Sequence, residues 1–398
     1  MEHQLINAIE AALGWNGPGE LGKGFVRGRM GDVGLAARIL TPNRLLDIAM
    51  RRSLNRPQFR CFQKGEEVHP AIYYTDVVSP RGQSIPTVNM RSLGRLLGEG
   101  ATLILDQLNV FDPTMEVACR ALQWWSHERV QVNAYLTTND ASGFPLHWDD
   151  HDVVIVQLAG EKEWEVRGTS RAAPLYRDAD PNTTPSEEIV WSGVMRTGDI
   201  MHIPRGHWHR ATRAGSGSGK SLHVTFGITQ RTGASWLAWM ADWCREQEIF
   251  RRDLDRSPEA SSEALKEAAL QLVSERTPAD FLAVYEQQTT LPRHVPYLDI
   301  LGPLEAAVCT TRFRPEIKER GGTVDVLASG KKLTLASKAL PALRLLLSGQ
   351  PVPLDQAAAT VGAEVVEVAE ILLKEEICAT LTPELSSGYI GLVTNAVS

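Results

Sequence analysis

Two short segments, far apart along the chain, carry side chains that could together hold one metal ion. Residues 144–164 open with a His-x-Asp motif, His147 and Asp149, and continue into an apolar run. If this segment is extended, the two side chains point to the same face, because side chains alternate across a strand. Residues 198–209 supply a distant histidine. Two histidines and one carboxylate, with part of the coordination sphere left open, are typical of non-haem Fe(II) oxygenases.

Chance is the alternative explanation, since a single His-x-Asp motif is common. Three features favour a metal site: the apolar strand that follows, the pattern Gly-Asp-x-x-x-x-Pro-x-Gly-x-x-His at residues 198–209, and Lys162 downstream of His147. Glycine and proline punctuate that pattern as they do a hairpin turn. His207 and His209 share a face in a strand, so the residues alone leave either of them as the ligand.

The length and composition of the chain limit the kinds of protein that it can be. A chain of 398 residues predicts two or three domains, and 43% hydrophobic with 22% charged residues is usual for a globular protein. The formal net charge of −7 gives no support to general nucleic-acid binding. No apolar run approaches the roughly 20 residues that span a bilayer, and no signal-peptide pattern opens the sequence. With five scattered cysteines, best explained as reduced thiols, we expect a cytoplasmic protein.

Many short strands with glycine and proline turns surround the two segments and predict a sandwich or a barrel. Up to residue 161 we predict strands at residues 101–105, 130–136 and 147–158, a helix at 116–125 and a turn at 159–161. After residue 161 we predict strands at residues 163–166, 188–191, 200–203, 208–212 and 222–228.

This order of elements, with the two motif segments and the phrase Asn-Ala-Tyr-Leu at residues 133–136, resembles the JmjC-type cupin oxygenases. More narrowly, it is similar to the bacterial and eukaryotic ribosomal oxygenases (the cupin-4 family), which hydroxylate side chains of ribosomal proteins using 2-oxoglutarate. The resemblance implies a mainly β fold with helices, in which residues 1–232 form a double-stranded β-helix, the JmjC or cupin barrel. It also implies Fe(II), 2-oxoglutarate and O₂ as cofactors.

The resemblance also assigns roles to residues. His147, Asp149 and His209 would bind the iron and be the catalytic residues. Lys162 stands at the family's position for the cation that pairs with the distal carboxylate of 2-oxoglutarate, and the Tyr135 hydroxyl is its companion donor. Composition alone would instead make Lys162 a solvated lysine after a turn. Further polar candidates for contact with 2-oxoglutarate, on flanking strands, are Asn133 and Thr225.

Other polar residues near the motifs compete for these roles. His151 would share the face of His147 in a strand, and we expect it beside the metal or facing the substrate. His202 is expected in the core or at an edge. Asp150 and Asp152 have the parity that points away from the metal, so we expect them either to support the metal ligands by contacting them or to have structural roles.

Beyond the barrel, residues 235–288 change to helical spacing, with Trp236, Trp239 and Trp243 among the large apolar residues. The ribosomal oxygenases carry a helical dimerisation module at this place, so the resemblance implies a homodimer formed through residues 233–298. The alternative is a helical cap packed on its own barrel.

Residues 299–398 resemble the winged-helix-like domain of the same family. A hairpin is predicted at residues 324–335, with helices at 340–347 and 361–373. Acidic residues outnumber basic ones in this part. The candidate recognition helix exposes Glu364, Glu367 and Glu370, which a phosphate backbone would repel. We therefore expect no DNA binding, and a structural or protein-binding role.

The predicted function is an Fe(II)- and 2-oxoglutarate-dependent oxygenase that hydroxylates a side chain of a protein or peptide substrate. One alternative is the same chemistry on a biosynthetic peptide or small metabolite, with lysine demethylation as a lesser variant. Another is a non-catalytic cupin that serves as a sensor or binding protein. Specificity for the acceptor would lie in the loops at residues 137–143 and 171–187.

Overall fold

A computed structural model describes residues 2–141, 143–178, 180–254, 256, 259–288 and 293–393. The strands are β1 Val26–Arg29, β2 Phe59–Gln63, β3 Glu66–Glu67, β4 Tyr74–Val78, β5 Ser84–Val88, β6 Thr102–Leu105, β7 Arg129–Thr138, β8 Asp152–Thr169, β9 Ile189–Arg196, β10 Asp199–Ile203, β11 His207–Thr212, β12 Lys220–Thr229, β13 Ala306–Cys309, β14 Glu316–Arg320, β15 Thr323–Ala328, β16 Lys331–Ala336, β17 Val352–Pro353 and β18 Cys378–Thr380. The helices are α1 Gln4–Leu13, α2 Leu35–Ile39, α3 Pro42–Arg51, α4 Met90–Gly98, α5 Pro113–Ser126, α6 Gly233–Cys244, α7 Glu248–Arg251, α8 Glu259–Glu275, α9 Pro278–Glu286, α10 Leu340–Leu346, α11 Leu354–Val361, α12 Glu364–Lys374 and α13 Pro383–Ser387.

Strand β8 belongs to two facing sheets and thereby builds the barrel. Its first half pairs with β10 and β12, and its second half pairs with β9 and β11. The change of sheet occurs at Gly160, where φ is +64° and a Cβ would lie 1.7 Å from the carbonyl oxygen of Lys220. Only glycine fits so close an approach. The turn predicted at residues 159–161 is therefore wrong: the chain bends there within one strand.

The larger sheet runs in the order β1-β10-β8-β12-β7-β6-β2-β3. Because side chains alternate across each strand, one face of this sheet lines the barrel and the other packs against the N-terminal helices. The apolar residues of the barrel interior are Val153, Ile155, Trp164, Val166, Met195, Met201 and Ile203. Those packed between the sheet and helices α1 to α5 include Leu5, Ile9, Leu45, Leu93, Met115, Leu122, Val154, Val156, Val224 and Phe226.

Helix α5 covers the outer face of the larger sheet. The Asp112 side chain caps its first turn by accepting from Met115 N, and Pro113 begins the helix. It ends at His127, which adopts the left-handed conformation. The helix predicted at residues 116–125 is thus confirmed and begins three residues earlier than expected, since the cap and the proline lie upstream of the apolar pattern.

Helices α6 to α9 follow the barrel, as the change in sequence texture predicted. Inside this helical segment Trp239 packs against Phe281, and Trp236 donates its indole N–H to the Arg276 carbonyl oxygen at 3.0 Å. Several large apolar side chains remain exposed on its surface: Leu237, Leu270, Val273, Leu282 and Val284.

The C-terminal part contains two three-stranded sheets, β17-β13-β18 and β14-β15-β16, packed with helices α10 to α12 around one core. The predicted hairpin is confirmed as β15 and β16. The single helix predicted at residues 361–373 is wrong in its start, because Gly362 separates α11 from α12. Trp124 of α5 inserts into this core and donates to the Thr311 carbonyl oxygen at 3.0 Å.

Candidate metal centre

His147, Asp149 and His209 come together at one end of the barrel. Their ligand atoms, one per residue, all lie within 4.8 Å of one another. The two imidazole rings are 4.4 Å apart between centroids, and Nε2 of His209 lies 3.7 Å from Oδ2 of Asp149. The two motifs that the sequence singled out therefore meet at a point where three donor atoms surround a space of ionic size.

Backbone hydrogen bonds hold these three residues in place. His147 and His209 form a two-way bridge: His147 N donates to His209 O at 3.1 Å, and His209 N donates to His147 O at 2.7 Å. Gly206 N donates to Asp149 O at 2.9 Å. The strand predicted to begin at His147 is wrong in that respect, because β8 begins at Asp152. It is the bridge to β11, and not alternation within a strand, that brings His147 to the site.

Both histidines direct the same ring nitrogen into the site. Nδ1 of His147 lies 2.9 Å from the Pro145 carbonyl oxygen, and Nδ1 of His209 lies 3.1 Å from the His207 carbonyl oxygen. A carbonyl oxygen accepts only, so each Nδ1 carries the proton and each Nε2 keeps its lone pair. This is the arrangement by which metal-binding imidazoles are oriented in proteins.

The charges at the site also suit a cation. Burial opposes ionisation of Asp149, but His209, His151 and His147 around it outweigh burial and lower the pKa of its carboxyl group. Burial, reinforced by His147, lowers the pKa of His209 to about 4, so its ring is neutral at pH 7. Metal ligands must be deprotonated, and both groups meet that condition.

Deeper in the barrel, two cations are buried together. Lys162 is 3% exposed and donates from Nζ to Oγ1 of Thr137 at 3.0 Å. Arg213, also 3% exposed, donates to the carbonyl oxygens of Asn139 at 3.2 Å and Glu161 at 2.8 Å. Among the residues that the structure describes, no ion pair joins either cation to a carboxylate. Burial, followed by the charge of Arg213, lowers the pKa of Lys162 to about 7.

A cluster of aromatic rings lies close to both the metal centre and the two buried cations, with Trp164 6.4 Å from His209 between ring centroids. His223 stacks on Tyr135 with 4.7 Å between ring centroids, and Trp164 meets its edge at 5.3 Å. Burial and then the charge of Lys162 lower the pKa of His223 well below its usual value. Nδ1 of His223 and Nε1 of Trp164 are buried and have no hydrogen-bond partner within the described residues, which leaves both free for a bound molecule.

The predicted cosubstrate residues lie on the barrel's inner strands, but not all of them reach Lys162. Asn133 of β7 and Thr225 of β12 are directly opposed in register, and Oδ1 of Asn133 already accepts from Gln107 N at 3.0 Å. The Tyr135 ring is engaged by His223, and the hydroxyl that contacts Lys162 is that of Thr137.

The competing histidines stand outside the three-residue cluster. His151 lies against Gly227, where a Cβ would be 2.9 Å from its ring, and its Nδ1 is 3.3 Å from Asp150. His202 is fully buried with Nε2 at 3.5 Å from Asp152, as expected of a core residue. His207 is half-buried beside the turn that precedes His209.

Three residues of the site were missed from the sequence: Thr137, Arg213 and Tyr176. The first two had a usable signal, because Thr137 lies two residues after Tyr135, and Arg213 lies four after His209, on the same face of a strand. Tyr176 had none. It follows β8 in a loop without periodicity, yet its hydroxyl donates to Oδ1 of Asp149 at 3.0 Å.

These residues fit the cofactors that the fold implies. His147, Asp149 and His209 would hold Fe(II), with the Nε2 atoms of the two histidines and the ionised carboxylate of Asp149 supplying the required donor set. Two buried cations lacking a carboxylate partner in the described part of the chain fit a dianionic cosubstrate such as 2-oxoglutarate, since a buried charge is costly unless it is paired.

The sequence matches known proteins over this part of the chain. Residues 109–236 match the model of the JmjC domain. The bifunctional lysine-specific demethylase and histidyl-hydroxylase NO66 of Drosophila willistoni is 27% identical over 159 residues, which are 39% of this chain and 20% of that protein. NO66 of Dictyostelium discoideum is 31% identical over 151 residues, 37% of this chain and 28% of that protein. The match thus spans less than a third of either relative.

Solved structures resemble the whole chain. The X-ray structure of Escherichia coli YcfD gives a TM-score of 0.56 at 17% sequence identity and covers 95% of this chain and 99% of that one. A structure of YcfD described as a ribosomal oxygenase in complex with cobalt and 2-oxoglutarate gives a TM-score of 0.51 at 17% identity, covering 85% of this chain and 90% of that one. Residues 109–236 therefore match a JmjC domain, and the chain as a whole shares the fold of YcfD.

Proposed function

We propose that this protein is an Fe(II)- and 2-oxoglutarate-dependent oxygenase that hydroxylates a side chain of a protein substrate, of the ribosomal-protein kind. One observation carries the proposal: one barrel holds both a three-residue cluster that could bind a metal ion and two buried cations, for which the described residues provide no carboxylate partner. Bound iron with 2-oxoglutarate and O₂ supplies the oxidising chemistry for an unactivated carbon. The protein supplies placement and exclusion of water.

Different residues of the barrel bind the metal ion and the cosubstrate. His147, Asp149 and His209 hold the ion from one side and leave its other positions open. Lys162 and Arg213 meet the distal carboxylate of 2-oxoglutarate, and Thr137 fixes the direction of the ammonium group. Arg213 follows the end of β11, four positions after His209. Trp164 and His223 form a buried aromatic wall of the site and keep bulk water out.

The substrate assignment is supported by the relatives. NO66 is named as a histidyl-hydroxylase and demethylase, and YcfD as a ribosomal oxygenase. Mass spectrometry of ribosomal proteins from cells with and without this protein tests it directly: a gain of one oxygen on a defined peptide, lost when His147 is replaced by alanine, is the expected result. Turnover of 2-oxoglutarate by the purified protein without any such shift would move the acceptor to a biosynthetic peptide or a small metabolite.

A homodimer formed through residues 233–298 is also part of the proposal. Its support is the exposed apolar surface of the helical segment, which includes Leu237, Leu270 and Leu282 at 56%, 69% and 42% exposure. Stable dimers bury such surface, commonly above about 2,000 Å² in total. Light scattering should give twice the mass of the chain at micromolar concentration, and Leu270→Glu should give the monomer mass. A monomeric wild type would refute the dimer.

The C-terminal part, residues 299–398, we propose as a winged-helix-like domain with a structural or protein-binding role. Glu364 and Glu367 are exposed on α12 and oppose a phosphate backbone. The part of the chain that the structure describes contains no helix both long and apolar enough to cross a membrane. We place the protein in the cytoplasm on its composition.

A further inference from the structure

A tyrosine at the mouth of the barrel touches the metal centre directly. The Tyr176 hydroxyl donates to Oδ1 of Asp149 at 3.0 Å and lies 3.2 Å from the carbonyl oxygen of Trp148. Its ring packs against the Trp148 indole with 4.9 Å between centroids. Yet the residue is 58% exposed. A large aromatic side chain that is mostly in solvent, while its hydroxyl contacts a half-buried carboxylate, stands at the entrance of the site.

The loop that carries Tyr176, residues 170–178, is fixed by its own contacts. The Asp178 carboxylate accepts from Leu175 N at 2.9 Å and pairs with Arg171 at 3.2 Å. These contacts hold the backbone on both sides of the tyrosine, so its position does not depend on the hydroxyl alone.

The same loop also reaches the backbone of the metal ligand. Pro174 packs on Gly206 so closely that a Cβ at position 206 would lie 2.5 Å from the proline ring. Gly206 in turn donates its N–H to the Asp149 carbonyl oxygen at 2.9 Å. The loop therefore positions Asp149 at two points: its backbone through the turn at Gly206, and its carboxylate through Tyr176.

The two carboxylate oxygens of Asp149 have different neighbours. Oδ2 faces Nε2 of His209 at 3.7 Å, across the space for the ion, whereas Oδ1 accepts from Tyr176. A carboxylate can bind a cation through one oxygen or through both. A donor fixed on one oxygen favours binding through the other, as hydrogen-bonded partners of metal ligands do in general.

We propose that Tyr176 is a positioning residue that keeps Oδ1 of Asp149 out of the coordination sphere, so that Asp149 binds the ion through Oδ2 alone. The positions that a second oxygen would take then stay open for cosubstrate and O₂. The exposed ring of Tyr176, with Trp148, forms part of the surface that the acceptor side chain passes. This inference rests on the metal centre proposed above.

The hydroxyl can be separated from the packing by substitution. Tyr176→Phe removes one oxygen atom and keeps the ring against Trp148, and Tyr176→Met also removes the hydroxyl should the bare ring prove unstable. Tyr74→Phe, at a half-buried tyrosine packed against Phe59 away from the site, is the matched control. Thermal melting confirms that each variant is folded.

Binding of Co(II) alone, measured by calorimetry at one pH, is the first readout. Both Tyr176 variants should bind it roughly 10- to 100-fold more weakly, the usual effect of losing a partner of a metal ligand. The second readout is the visible absorption of the protein saturated with Co(II), which should weaken as the ion gains a ligand oxygen. Tyr74→Phe should match wild type in both.

The outcomes separate this inference from the function on which it rests. A wild type that fails to bind one Co(II) per chain overturns the metal centre itself. A wild type that binds Co(II), with Tyr176→Phe equal to it in affinity and in spectrum, overturns only the role of Tyr176. A loss in Tyr176→Met without a loss in Tyr176→Phe would assign the effect to ring packing, and would also overturn the proposal.

Discussion

His147 and His209 each present one particular ring nitrogen to the site. Because His147 and His209 commit Nδ1 to the carbonyl oxygens of Pro145 and His207, Nε2 is the only nitrogen left for an ion. Within the described part of the chain His151 has no such backbone partner, and its Nδ1 instead lies 3.3 Å from Asp150. The orientation of an imidazole, and not its proximity alone, distinguishes a ligand from a neighbour here.

Replacement of Asp149 by alanine should abolish metal binding. Two imidazoles remain, and without the carboxylate they lack both the third donor and the negative charge. We expect Co(II) affinity to fall by more than the roughly 100-fold that loss of an outer partner costs, with no turnover of 2-oxoglutarate. His151→Ala is the control and should retain the metal. Full turnover by Asp149→Ala would show that the ligand set is wrong.

Lys162 should determine the affinity for 2-oxoglutarate. Lys162→Met leaves the distal carboxylate facing only Arg213, so KM for 2-oxoglutarate should rise by roughly 150- to 5,000-fold, which corresponds to the 3–5 kcal/mol lost when a buried pair is broken. Lys162→Arg should retain more activity, because the charge survives. Succinate formation is measured against 2-oxoglutarate concentration. Exposed Lys220 provides the control, Lys220→Met. If the Lys162→Met variant titrates identically to wild type, Lys162 is irrelevant to the cosubstrate.

The same lysine predicts a pH dependence of stability in the protein free of cosubstrate. The pKa of Lys162 falls from 10.5 to about 7 on folding, by burial and then by Arg213. Between those values the unfolded chain binds the extra proton, so the free energy of unfolding rises with pH by up to about 1.4 kcal/mol per unit. Urea unfolding of wild type minus that of Lys162→Met, from pH 7 to pH 10, isolates this contribution. A flat difference would contradict it.

Among the elements, β8 has the most demanding geometry, since it must serve two sheets. Its bend concentrates at Gly160, with φ of +64° and the Lys220 carbonyl oxygen 1.7 Å from where a Cβ would be. A strand that crossed without bending would carry Lys162 away from the inner face on which Trp164 lies.

Gly160→Ala should therefore destabilise the protein well beyond the cost of backbone strain. A left-handed conformation alone costs a non-glycine residue about 1–3 kcal/mol, and the collision with Lys220 adds to it. Gly217 is a matched control, because its φ is +69° and nothing lies within 4 Å of its Cβ position. Urea denaturation of the two alanine variants should separate strain from collision. Equal losses would show that the strand can move aside.

Residues in short motifs and in regularly alternating strands could be predicted from the sequence, whereas residues in loops could not. Asp149 and His209 lie in motifs with short, fixed spacing, and the strands around them alternate visibly, so the barrel and the meeting of these side chains could be predicted. Gly160 was misread as a turn because glycine marks both bends and turns. Tyr176 was beyond reach, since nothing in the spacing of a loop shows which side chain returns to Asp149. Helix α5 began early because apolar periodicity starts after its cap.

On the scale of the whole molecule, helix α5 joins two hydrophobic cores. Met115 and Leu122 pack in the core between the larger sheet and the N-terminal helices, while Trp124 packs in the core of the C-terminal part. Arg120 is buried between them, donating to Glu116 at 2.5 Å and to the Tyr389 hydroxyl at 2.7 Å. The C-terminal part is built onto the catalytic barrel and is not a tethered appendage.

Tyr389→Phe should destabilise the molecule through Arg120. It leaves one guanidinium N–H buried without an acceptor, at a cost of about 1–3 kcal/mol, and more for a charged donor. Urea unfolding followed by tryptophan fluorescence measures the loss. Tyr297→Phe, in the same C-terminal part, should change little. Similar stability of the two variants would mean that Arg120 finds another acceptor.

His3 pairs with Val393, and Gln4 N donates to the Leu392 carbonyl oxygen at 2.8 Å. This contact between the two ends of the described chain limits the order in which parts of the protein can complete their folding during synthesis. Segments emerge from the ribosome in order and fold as units, at about 5–20 residues per second. The barrel is complete once Thr229 has emerged, whereas helix α1 must wait for the last part of the described chain to receive its partner. The hydrogen bond that fixes the start of helix α1 can therefore form only after all the strands of the barrel have been synthesised.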